Sequence, residues 1–118
     1  MTAGTWNPTI EQGADWTVEL TWADDGTPID LTGYTARMSL RHSARDTVSI
    51  HLDTTNGRIT LGGAAGTITL SLTAAETAEI PAHNHAYDLE VVNPDGRVVR
   101  LVQGIATVSR EQTRTGDA

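Results

Sequence analysis

The sequence predicts an all-β domain, an immunoglobulin-like β-sandwich of about seven to eight antiparallel strands with one short helical turn. Three observations lead there. Apolar residues recur at every second position in segment after segment, the period of a strand that buries one face. Asp-Gly, Asn-Gly and glycine-rich turns separate these segments at intervals of about ten residues, as in a sandwich. Thr, Val and Gly are prominent where helical proteins carry Leu, Lys and Glu. An open barrel is the alternative closure. The 118 residues suffice for one core, so residues 1–118 read as a single domain with a polar tail from about residue 110.

The clearest strand begins at Asp15, where Trp16, Val18, Leu20 and Trp22 alternate with Thr17, Glu19 and Thr21. Asp24-Asp25-Gly26 ends it, because Asp-Gly supplies the positive φ angles of a tight reversal. Pro28 to Gly33 reads as a short edge segment, since proline cannot donate to a central ladder. Tyr34, Ala36, Met38 and Leu40 form the next inward face, and His42 to Thr47 reads as a polar loop. Val48, Ile50 and Leu52 mark a strand that stops at the Asn56-Gly57 turn. Ile59 and Leu61 lead into Gly62-Gly63-Ala64-Ala65-Gly66, a flexible connection, and Ile68, Leu70 and Leu72 mark the strand after it.

Thr73 followed three residues later by Glu76 is a capping box, which satisfies free N–H groups at a helix start. The helix it opens, Ala74 to Glu79, is closed by Pro81 and is long enough only for a crossover between sheets. Tyr87 to Val92 and Arg97 to Val102 flank Asn93-Pro94-Asp95-Gly96 as a hairpin, with Gly104 expected to break the second arm at a bulge. Ile105 to Val108 resumes that strand. The expected core is Trp16, Val18, Leu20, Met38, Leu40, Leu70, Leu89 and Val91.

Composition narrows the function classes. Cysteine is absent, which excludes disulfides and thiolate metal sites. The net charge of −7 opposes a nucleic-acid partner, because phosphate binding needs clustered cations. All eight basic residues are arginine. No stretch approaches the roughly 20 apolar residues of a membrane span, and Met1 to Trp6 lacks the basic and apolar regions of a signal peptide. The chain reads as soluble and made in the cytoplasm, with no membrane partner.

Candidate chemistry is sparse. His83-Asn84-His85 places two imidazoles close together, but no third ligand is identifiable nearby in sequence and neither His42 nor His51 has a suitable spacing, so a solvated loop is the expectation. Asp24-Asp25-Gly26 with Asp30 offers carboxylates to a hard cation, yet departs from the EF-hand spacing and fits turn chemistry. No serine sits in a glycine elbow, and Asp15, Glu19, Asp88 and Glu90 read as solvent-facing strand positions. The glycine-rich segment 62–66 lacks the Lys-Ser/Thr ending of a phosphate loop. These features point to a non-enzyme without cofactor or bound metal. Trp16 and Trp22 share the parity of the core, which favours packing over a sugar-binding platform. Trp6, just before Asn7-Pro8, is either an exposed interface anchor or part of a segment folded back over the core.

Four stretches carry a resemblance to a known family: Gly13-Ala14-Asp15-Trp16-Thr17-Val18; Asp25 to Tyr34 with Ala36-Arg37-Met38; Leu72-Thr73-Ala74-Ala75-Glu76-Thr77-Ala78; and Tyr87-Asp88-Leu89-Glu90 continuing to Pro94-Asp95-Gly96. In this order they resemble the N-terminal domain of phage upper baseplate proteins and the related small minor tail proteins of siphophages. The chain departs from that pattern at Gly13-Ala14-Asp15, where the family usually has Arg-Gly-Asp or Lys-Gly-Asp. The resemblance implies an immunoglobulin-like sandwich without catalysis, repeated around a three-fold or six-fold tail axis and joining other tail or baseplate proteins in the virion. A capsid-decorating subunit and a carbohydrate-binding adhesion module are the alternatives. The expected contact residues are Trp6 and Asn7 in the N-terminal arm, Asp24 and Asp95 in loops, and Arg110 and Arg114 in the tail.

Overall fold

A computed structural model describes residues 3–113. Its strands are β1 (Gly4–Thr5), β2 (Thr9–Glu11), β3 (Trp16–Thr21), β4 (Ala23–Asp24), β5 (Thr27–Pro28), β6 (Thr35–His42), β7 (Val48–Asp53), β8 (Ile59–Leu61), β9 (Thr67–Leu72), β10 (Asn84–Val92) and β11 (Val98–Ser109), with one helix, α1 (Ala74–Ala78), between β9 and β10. A large sheet has the order β1-β11-β10-β6-β7, with β2 also on β11, and a smaller one the order β3-β9-β8; β4 and β5 form a separate hairpin. Seven strands, β3 and β6 to β11, therefore build two antiparallel sheets in the connectivity of an immunoglobulin-like sandwich. The inner faces meet in one core that includes Met38, Leu40, Leu52, Ile68, Leu70, Leu89 and Val91.

The N-terminal arm departs from the antiparallel expectation. Gly4 and Thr5 pair in parallel with Val102 and Gln103, and Thr9 to Glu11 pair in parallel with Thr107 to Ser109. Between them the Trp6-Asn7-Pro8 step interrupts the ladder. Ile10 is fully buried, so the arm contributes to the core although the sequence there shows no run long enough to display a two-residue period.

Five of the eight expected core residues, Met38, Leu40, Leu70, Leu89 and Val91, are at most 1% exposed. Trp16, Val18 and Leu20 are only half-buried, with the period-two pattern intact. The cause is position: β3 is an edge strand with β9 on one side only, and a strand's side chains are covered fully only where neighbours flank it. Leu31, Ile59, Leu72, Ile80, Ala106 and Val108 complete the interior from turns and strand ends.

Gly104 does not break β11. It pairs with Tyr87 inside a continuous strand, and the register shift falls where Leu89 and Glu90 meet Val102 and Arg100, leaving Leu101 as the extra residue. Gly104 has another role: a Cβ there would collide with the Trp6 carbonyl and Asn7 Oδ1. The missing side chain lets the arm lie against the strand. The segment 62–66 is also more ordered than expected, forming a 3-10 turn at Gly63–Ala65 that Gly66 ends in the left-handed conformation.

Helix α1 starts as the capping box predicts. The Thr73 side chain accepts from the Glu76 N–H, and the Glu76 carboxylate accepts from the Thr73 N–H at 2.8 Å. Thr73 and Arg58, whose Nε lies 2.6 Å from Glu76 Oε2, hold the Glu76 carboxyl below the usual carboxylate range. Thr77 fixes the helix to the arm: its hydroxyl donates to the Ala14 carbonyl at 2.9 Å and accepts from the Gly13 N–H at 3.0 Å.

Candidate functional site

The residues expected to make contacts fall in three places. At one end of the sandwich, Asp24 sits exposed on the β4–β5 hairpin and Asp95 on the β10–β11 turn. Both belong to that end because the Trp22 ring packs edge-on to Tyr34 at 6.4 Å, while Gly33 lies against Pro94. The Asp95 turn is held by Asn93 Oδ1, which accepts from the Asp95 and Arg97 N–H groups, the Asx-turn chemistry the sequence suggests. Asp30 is a further turn element: its Oδ1 accepts from the Thr32 hydroxyl at 2.6 Å and the Thr32 N–H at 3.0 Å, which lowers its pKa.

Along the side lies the arm. Of the two readings of Trp6, the structure has the segment folded back. The Trp6 ring stacks on Trp16, with centroids 6.5 Å apart and planes 15° from parallel, and meets Tyr87 edge-on at 6.3 Å. The Tyr87 hydroxyl donates to the Trp6 carbonyl at 2.5 Å, and burial pushes the Tyr87 phenol up to about 12. Asn7 is exposed, yet its Oδ1 accepts from the Ile105 N–H at 3.0 Å, in place of the backbone carbonyl that an unbroken strand would offer. Trp6 stays half-buried, with part of its ring accessible.

Arg110 lies at the opposite end, exposed, beside a shallow hollow that it lines with Gln12, Ala82 and His83. Arg114 lies outside the described residues. The six expected residues thus do not converge on one site; they are spread over both ends and one side.

The structure also gathers three histidines that the sequence keeps apart. His42 and His85 belong to the paired strands β6 and β10, so neither is in a loop, and both are buried, at 8% and 0% exposure. The His42 ring packs against His83 at 4.8 Å and His85 at 5.6 Å between centroids. The donors are committed. His85 Nε2 donates to the Pro81 carbonyl at 2.9 Å, so its Nδ1 accepts from the Ser49 hydroxyl at 3.0 Å. His42 Nδ1 accepts from the Ala44 N–H at 3.2 Å. Burial first, then the nearby His83, Arg45 and His85, hold the His42 pKa below its ordinary value. Among the described residues, no group of three or more His, Asp or Glu is arranged to hold a metal ion. The pairing of His42 with His85 was absent from the sequence reading because it depends on the β6–β10 register.

The outer face of the large sheet is a ladder of compensated charge. Arg37 pairs with Glu90 at 2.9 Å, Arg100 with Asp88 at 3.3 Å, and His51 bridges Ser39 and Asp53 at 2.7 and 3.0 Å. No helix of the described residues is long and apolar enough to cross a membrane. No protein-family model matches this sequence, and no curated protein resembles it closely enough to count as a match.

Proposed function

We propose that this chain is a structural protein of a bacteriophage virion, an adaptor or minor subunit of the tail or baseplate that joins neighbouring tail components and performs no catalysis. The observation that carries the reading is the place of the resembling blocks in the fold. Tyr87 of the Tyr-Asp-Leu-Glu block anchors the arm through Trp6, Leu31 of the Asp-Leu-Thr-Gly block is buried at 1% exposure, and Thr77 of the helix block ties α1 to the segment before β3. These residues fix the frame, while the residues expected to make contacts project from its ends and side. A sandwich held this way presents loops at constant spacing, which suits a part repeated around an axis. Trp16 and Trp22, the rings a sugar-binding module would use, are half-buried and packed against Trp6 and Tyr34, so the adhesion alternative gains no support from them.

The test is a cryo-EM reconstruction of the purified particle. The proposal expects density for the sandwich in a ring at the tail end, with the arm and the Arg110 end against neighbouring chains. Density on the shell would make the protein a decoration subunit, and absence from the particle would end the virion reading.

A further inference from the structure

Strand β3 has an unused side. The Trp22 N–H donates to the Gly66 carbonyl at 2.9 Å, and the register continues from there with Leu20 opposite Ile68, Val18 opposite Leu70 and Trp16 opposite Leu72. Successive residues of a strand point their main-chain groups to opposite sides. The even-numbered residues of β3 therefore bond to β9, and Thr17, Glu19 and Thr21 direct their N–H and C=O groups away from it. The same alternation appears on β9, where Ser71 donates to the Arg58 carbonyl and Thr67 accepts from the Gly62 N–H. Among the described residues the segment that could have flanked β3, the N-terminal arm, is hydrogen bonded to β11 instead.

Beside this free edge the two sheets stand apart. A notch of about 300 Å³, lined chiefly by Gly4, Leu20, Trp22, Ile68, Leu89 and Leu101, opens next to the end of β3 and reaches core residues at its floor. Its lining is mainly apolar, so it suits a side chain of the Leu or Ile kind. A free row of backbone groups alone would be an ordinary edge, and a notch alone an ordinary surface hollow. Their adjacency is informative, because a strand added to β3 would place its inward side chain opposite Leu20 at the notch.

The charge on β3 excludes one occupant. Glu19 is its only ionisable residue, and a second copy paired about Glu19 would set two carboxylates opposite each other, which is unfavourable. The net charge of −7 adds to that repulsion. We infer that the free edge of β3 receives an extended strand from a different polypeptide, with an aliphatic side chain in the notch and an Arg or Lys opposite Glu19. The added strand completes the small sheet by main-chain hydrogen bonding, and the notch and Glu19 set its register. This inference rests on the binding role proposed above and gives it a defined surface and partner chemistry.

The probe is the acetylated and amidated peptide Ser-Thr-Leu-Arg-Val-Thr-Ser, which in antiparallel register sets Leu opposite Leu20 and Arg opposite Glu19. It is titrated into the isotope-labelled full chain by NMR. The expected result is a set of shifts at the Thr17, Glu19 and Thr21 amides with slowed hydrogen exchange there, and further shifts around Leu101. Replacing the peptide Leu by Ser weakens binding about tenfold or more, and N-methylation of the peptide Arg abolishes it. The variant Glu19→Arg prefers a peptide with Glu in place of Arg, and Glu19→Gln, the milder change, loses the preference without gaining the opposite one. No shifts at millimolar peptide, shifts confined elsewhere, or equal binding of the N-methylated peptide would overturn the inference. Failure of the peptide with the protein found in the tail removes this edge and leaves the adaptor role; binding with the protein absent from particles does the reverse.

Discussion

Replacing Gly104 by alanine tests whether the N-terminal arm is held by close approach to β11. The φ of Gly104 is not in the left-handed region, so the backbone accepts alanine and any penalty comes from the new methyl group. That methyl would overlap the Trp6 carbonyl and stand 2.6 Å from Asn7 Oδ1. To restore ordinary van der Waals spacing the arm must retreat by about 1 Å, a gap that a hydrogen bond does not survive. Three bonds are at stake: Trp6 N–H to the Gln103 carbonyl at 3.0 Å, Tyr87 hydroxyl to the Trp6 carbonyl at 2.5 Å, and Ile105 N–H to Asn7 Oδ1 at 3.0 Å. At about 0.5–1.5 kcal/mol net for each, the loss is about 1.5–4.5 kcal/mol. Alanine restricts the unfolded chain and returns about 0.4–1 kcal/mol, so the expected net destabilisation is about 2 kcal/mol. Gly4→Ala is the control, since the nearest atom to its methyl would be the Leu101 carbonyl oxygen at 3.7 Å; it should change stability by less than about 0.5 kcal/mol. Urea unfolding followed by tryptophan fluorescence reads the difference, and hydrogen exchange of the Ile105 amide reports whether the arm has lifted. If Gly104→Ala matches Gly4→Ala in stability and keeps the Ile105 amide protected, the close-approach argument is wrong.

Further expectations concern buried polar groups. Thr77→Val keeps the shape but removes the partner of the Gly13 N–H and the Ala14 carbonyl; it should cost about 1–3 kcal/mol in urea unfolding, and a loss under about 0.5 kcal/mol would show that those groups find other partners. Protonating His42 places a hydrogen on the Nδ1 that accepts from Ala44, and the folded pKa lies below the ordinary 6.5. The unfolded chain therefore binds that proton more readily, so this contribution is complete above about pH 6.5 and is lost as pH falls through the folded value. The urea midpoint should drop with acid, and His42→Gln should flatten that slope; an unchanged slope would remove His42 as its source. Tyr87, raised from 10.0 to about 12, contributes stability that is complete below pH 10 and is lost as pH rises through 12. Tyrosinate absorbance should show an ionisation near 12 that Tyr87→Phe removes, and an unaltered titration would refute its burial.

The legible parts of this protein are those set by neighbours in sequence. Alternation fixes the inward parity of β3, β6, β9 and β10, because strand side chains have a period of two whatever they pack against. Asp-Gly, Asn-Gly and the Thr73–Glu76 box mark their turns and helix start, because the preferred φ or the reciprocal cap is local chemistry. The sandwich follows from these signals together.

Tertiary structure decided the rest. Nothing in Gly4 to Glu11 foretells parallel pairing with β11, since the partner lies about a hundred positions away in the chain and the paired pieces are too short to show a period. The same distance hid the reason for Gly104, which a strand break explains equally well until the Trp6 carbonyl is placed beside it. His42 and His85 looked like loop residues because a polar side chain carries no record of which backbone it will face, and the β6–β10 register alone brings them together. The half-burial of Trp16, Val18 and Leu20 was decided likewise: parity is local, but coverage depends on which strand lies alongside, and beside β3 the arm chose the other sheet.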